Sequence, residues 1–191
     1  MCAFFQKEQQ CREPMPNSQH FLDVTLADFR ATKGLGQRAM EQLRDDEVNW
    51  SPDGESNSIA IIVKHLCGNM ISRWTDIFTT DGEKPDRNRD TEFEGSVGDT
   101  TALMEIWERG WSRLLETLES LTPDDLERTI LIRGEPHTVV QAIIRQTSHY
   151  AYHVGQIVFI AKHLRSEGWQ TLSVARGKSE EYNQQMLAEK R

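Results

Sequence analysis

Apolar residues recur every three to four positions through most of this chain, a spacing that predicts long amphipathic helices rather than strands. Phe21, Leu22, Leu26, Phe29, Leu35, Met40 and Leu43 mark a first helix, capped by Asn17 or Ser18 and reaching about Val48. Gly34 and Gly36 weaken its middle and predict a bend there. Trp50-Ser51-Pro52-Asp53-Gly54 reads as a turn. A second helix starts at Asn57 or Ser58 and reaches about Phe78, and a long charged loop follows from Thr80 to Asp90. Leu103, Ile106, Trp107, Trp111, Leu114, Leu115 and Leu118 keep a period near 3.6 and set a third helix over Asp99 to Leu121.

Thr122-Pro123-Asp124-Asp125 is a compact cap opening one short turn, with Pro at its first position. Thr129 to Arg133 alternates weakly and ends at Gly134-Glu135-Pro136, which suits a short extended piece or hairpin. Thr138 caps a fourth helix to about Leu164, with Val140, Ile143, Thr147, Ala151, Val154, Val158 and Ala161 as its core stripe. Gly168 breaks it, and the tail carries one possible short helix from Ser179. Four long helices with little strand predict an all-α fold, a four-helix bundle. Residues 1–16, with Pro14 and Pro16 near their end, read as a flexible leader, and residues 17–191 as a single domain without internal repeat.

Charge narrows the function. Asp and Glu outnumber Lys and Arg by 30 to 22, for a net charge of -8, and no basic block stands out. A nucleic-acid partner is therefore not expected. No apolar run reaches the ~18 residues of a membrane span. The start, Met1 to Lys7, lacks the features of a signal peptide. Cys2, Cys11 and Cys67 show no framework spacing, which fits a reducing cytoplasm. Cys67 lies two residues after His65, about 200° round a helix, so the two cannot share a metal, and Cys67 reads as a packing residue.

Two histidines carry the chemistry. His149 and His153, four apart on the fourth helix, stack on one face and can address one ion. His65, on the second helix, offers a third imidazole, and three His ligands leave an open position of the catalytic kind. Asn69 and Ser72 share a face with His65, and Arg145 and Gln156 flank the His149–His153 pair. Asn69, Gln146 and Gln156 are, by helix position, candidates to orient the imidazoles. Arg73 and Arg145 are candidates for a carboxylate or for surface ion pairs. Histidines of this spacing also occur as hydrogen-bonded core residues without metal. His137 stands before the fourth helix near a possible pocket mouth, whereas His20 and His163 read as surface residues. Gly177-Lys178-Ser179 fails as a phosphate loop because Leu172 replaces the required earlier glycine. Neither H-E-x-x-H nor Gly-x-Ser-x-Gly is present.

The run His149-x-x-x-His153-x-Gly155-Gln156, after a helix bearing His65, resembles the DinB/YfiT-like superfamily of metal-binding four-helix bundles. The stretches Asn57 to Leu66, Arg73 to Pro85 and Leu172 to Ser179 resemble one subgroup of unknown function, so that the likeness covers most of the chain from about residue 20 onward. The resemblance implies an up-up-down-down bundle holding one divalent metal, usually Zn or Ni, on His65, His149 and His153. It also implies a small-molecule substrate and a homodimer. Relatives include S-transferases that use a low-molecular-weight thiol as cosubstrate, and proteins proposed as metal-dependent hydrolases. A non-enzymatic metal-binding stress-response protein is the remaining reading. Three neutral imidazoles leave the ion's charge uncompensated, so that a bound water or thiol is acidified.

Overall fold

A computed structural model describes residues 17–189. The expected leader over residues 1–16, with Cys2 and Cys11, lies outside the described residues. Four long helices dominate: α1 (Ser18–Met40), α2 (Ile59–Trp74), α3 (Thr100–Ser120) and α4 (Val139–Arg165). A two-stranded antiparallel hairpin, β1 (Thr129–Ile132) and β2 (Glu135–Thr138), precedes α4, and α5 (Ser179–Glu189) closes the described chain. The fold is all-α in architecture, a four-helix bundle, and no helix among the described residues is long and apolar enough to cross a membrane.

Local chemistry sets most boundaries. The Ser58 side chain accepts from the Ile61 N–H and starts α2, and the Asp99 carboxylate accepts from Ala102 N–H and starts α3. Thr138 and Gln141 form a reciprocal capping box at the start of α4. The first helix is shorter than its apolar pattern predicts: Arg44 takes an extended conformation, and Glu47 caps a separate turn at Asp45–Glu47. Val48 is buried by that turn, and its carbonyl accepts from Ala60 N–H, anchoring the entry to α2. α1 runs unbroken through Gly34 and Gly36. α2 stops at Trp74, because Thr75 is extended and Asp76 is left-handed.

Contacts between helix ends fix the direction of each helix. Arg30 meets Glu119 and Asp45 meets Thr100, so α1 and α3 run antiparallel. Phe29 meets Tyr150 and Gln42 meets Gln170, so α1 and α4 run parallel. Asn49 pairs with Val97, and Thr117 donates to the Trp74 carbonyl, so α2 and α3 run parallel as well. The order is therefore up-down-down-up, not the expected up-up-down-down. Parallel α2 and α3 require the chain to return along the bundle between them, and residues 75–99 make that return. Amphipathic spacing carries no information on helix direction, which explains the difference.

The core is aromatic. Trp74, Trp107, Trp111, Tyr150 and Phe29 are all essentially inaccessible, and their rings meet edge-on or tilted, as in Phe29–Trp111 at 6.5 Å and Trp107–Trp111 at 5.3 Å. On α4 the buried stripe is Val139, Ala142, Ile143, Gln146, Tyr150, Val154, Ile157 and Ala161. This corrects the expected phase: Thr147 is half-buried and Ala151 exposed. Tyr150 wins the interior position because its ring fits between Phe29 and Trp111, while its hydroxyl accepts from Trp74 Nε1 and donates to Asn69 Oδ1.

Candidate metal centre

α2 and α4 face each other across a polar seam, and His65, His149 and His153 meet there. One ring nitrogen from each lies within 4.8 Å of the other two. His65 is 6% exposed, and the α4 pair is half-buried. Nε2 of His65 and Nε2 of His149 stand 3.3 Å apart, and the His149 and His153 ring centres are 4.9 Å apart.

Each imidazole is oriented through its other nitrogen. His65 Nδ1 donates to Glu92 Oε2 at 3.0 Å, His149 Nδ1 to Gln146 Oε1 at 3.2 Å, and His153 Nδ1 to Gln156 Oε1 at 2.8 Å. With Nδ1–H committed three times, the Nε2 atoms carry lone pairs. The His65 and His149 lone pairs then meet at 3.3 Å with no proton between them, which is repulsive unless a cation stands there. Protonation is a poor remedy. Burial, then the nearby His153, His65, Arg73 and Arg145, push His149 down to about 3. Burial also lowers His153, against the raising effect of Gln156. Two histidines that resist protonation, converging with His65 on one point, fit a divalent metal.

Gln146 and Gln156 sit three residues from their histidines, on the same helical face. Asn69 lies at the site but partners Tyr150 instead of an imidazole. Glu92 is the functional residue that helical spacing does not reveal. The charged segment after α2 folds back as part of the 75–99 return and lays Glu92 on His65, burying it. Arg87 holds the carboxylate with Nε and Nη2, at 2.7 and 2.9 Å. Burial opposes the ionised form of Glu92, but the hydrogen bonds from His65 and Arg87 and the Arg87 charge hold it below the usual carboxylate range. Gly68 permits the approach: a Cβ there would collide with the Glu92 carboxyl group.

Arg73 and Arg145 line the same cavity as His65 and His149. Arg73 is buried rather than ion-paired at the surface, with Glu83 its nearest carboxylate at 3.9 Å. His137 bonds the Glu135 carbonyl and is outside that cavity. His20 and His163 are exposed. Cys67 is buried in the bundle, where desolvation raises its thiol pKa.

Among solved structures, the fold is similar to a DinB-like protein, YjoA, from Bacillus subtilis. The two superpose with a TM-score of 0.60 at 18% identity, over 78% of this chain and 95% of that one. No curated protein matches the chain. The family described as "Protein of unknown function (DUF1572)" matches residues 16–178, so this DinB-like bundle belongs to that family.

Proposed function

We propose that the chain is a metal-dependent enzyme acting on a small electrophile, with one divalent ion, Zn or Ni, held by His65, His149 and His153. The observation that carries the reading is the meeting of Nε2 lone pairs on three imidazoles whose Nδ1–H groups are all taken. When bound, such an ion acidifies a coordinated thiol or water near neutral pH. The chain's own contribution is orientation. Gln146 and Gln156 fix the α4 rings, and the buried Arg87–Glu92 pair fixes His65.

The favoured reaction is S-transfer from a low-molecular-weight thiol in the cytoplasm. The thiol releases its proton to solvent, its sulfur forms a bond to the electrophilic carbon, and the carbon–leaving-group bond breaks with its electron pair departing on the leaving group. Cys67 does not serve as the sulfur nucleophile, being buried with a raised pKa. A homodimer and a small-molecule substrate complete the reading.

Metal content of untagged protein tests it, for wild type beside His149→Ala. About one metal per chain, lost in the variant, supports the site, and no metal after incubation with Zn or Ni sinks it. Thiol consumption with a model electrophile that stops in His149→Ala supports S-transfer. Turnover indifferent to thiol identifies a hydrolase, and tight metal without turnover identifies a binding protein.

A further inference from the structure

The cavity beside the histidines, about 370 Å³, is lined by five arginines: Arg73, Arg87, Arg89, Arg133 and Arg145. In a chain of net charge -8 this is a local reversal of sign. No Asp or Glu lines the cavity. The carboxylates behind it are spoken for. Glu83 is divided among Arg73, Arg87 and Arg133, and Glu92 between Arg87 and His65. Arg145 and Arg89 have no carboxylate partner among the described residues.

Arg73 is the telling one. It is 3% exposed, yet its Nε and Nη1 atoms have no hydrogen-bond partner. Unpaired buried donors are destabilising, the more so when charged. Two neutral side chains on the wall point the same way. Asn69 Oδ1 is taken by Tyr150 and Gln146 Oε1 by His149, which leaves both with only amide N–H groups to offer. Apart from the two imidazoles, the cavity wall offers donors and no free acceptor.

We infer that this cavity binds an oxyanion group, carboxylate or phosphate, of the molecule presented to the three histidines. The buried Arg73 guanidinium contributes its positive charge from the cavity wall, and Arg145 and Arg89 close over the anion from the exposed side. A bound anion also counters the repulsion among Arg73, Arg145 and Arg87 that, after burial, lowers the Arg73 pKa. The inference rests on the enzyme reading for the role of the anion, but its binding does not require the metal.

The test uses chelator-treated, metal-free protein at fixed ionic strength. Succinate and inorganic phosphate are titrated by calorimetry, with neutral succinamide as control. Saturable binding of either anion, but not succinamide, is expected. Arg145→Ala and Arg89→Ala, both at exposed positions, are each expected to weaken it roughly tenfold, the scale of one lost charged hydrogen bond. Arg73→Met is expected to abolish it and to leave the free protein at least as stable. Should Arg73→Met not fold, the two exposed variants still decide. Succinate alone marks a carboxylate ligand, phosphate alone a phosphoryl ligand, and both the shared oxyanion chemistry. No binding, or equal binding by wild type and an Arg145→Ala/Arg89→Ala double variant, overturns the inference. So does binding seen only after metal loading and untouched by the arginine variants. Metal content measured on the same samples separates this failure from failure of the metal site.

Discussion

The α1–α3 seam and the α2–α4 seam are two sides of one bundle built on opposite principles. Phe29, Trp107 and Trp111 fill the first with rings, and the Trp107 and Trp111 indole N–H groups have no hydrogen-bond partner. Area burial and ring contacts outweigh those two unmade bonds. The second seam holds His65, Asn69, Arg73 and Gln146, all buried, with hydrogen bonds that orient His65, Asn69 and Gln146 and with two Arg73 donors unpaired. Apolar packing dominates the first seam, and hydrogen-bonded polar groups the second.

Metal content should separate the two most sharply. His153→Ala is expected to reduce bound metal from about one per chain to near zero with little change in the unfolding midpoint of the metal-free protein. Trp111→Ala should do the reverse, costing about 3–5 kcal/mol by denaturant titration while the folded fraction keeps its metal. Equal effects of the two variants on both readouts would dissolve the distinction.

The next largest effect concerns the charged partner. Glu92→Gln should weaken metal affinity about 10- to 100-fold in chelator competition, and Gln156→Leu by less, because only Glu92 brings a full charge to its histidine. Equal losses would show that orientation matters and charge does not.

Acid should strain the polar seam alone. In the folded metal-free protein His149 titrates at about 3, against an ordinary 6.5. The unfolded chain therefore binds the extra proton over the window between those values, so stability is intact above pH 6.5 and falls as pH drops toward 3. His153, also lowered, acts in the same direction. His149→Ala should flatten that slope, and an unchanged slope would refute the assignment. The smallest effect is at the surface: Arg30→Ala breaks an exposed pair with Glu119 and should change stability by less than about 1 kcal/mol.

Much of this was legible in the residues. Helical period located all four helices, Thr138 marked one start by cap chemistry, and the starts read at Asn57 or Ser58 and at Asp99 fell on the caps that the structure shows. The i, i+4 spacing of His149 and His153 put them on one face, and i±3 spacing put Gln146 and Gln156 beside them. Glu92 was not legible. It sits in a segment with no period, and its contact with His65 depends on how residues 75–99 return along the bundle. The phase of α4 failed for a related reason: Ala151 and Thr147 look as interior as Tyr150 until the neighbouring rings are known. Arg73 read equally as a carboxylate binder or a surface ion pair, because its burial depends on elements distant in sequence.

The long return between α2 and α3 also orders events in time. His65 and Glu92 are 27 positions apart, so their contact, with Arg87 in between, needs nothing made later in synthesis. His149 is 84 positions beyond His65 and arrives with the last long helix. A ribosome releasing this chain thus completes the His65–Glu92 half of the cradle before the α4 half has been made. A ligand that needs all three rings can bind only once α4 has docked, so its retention would report that both halves are in place.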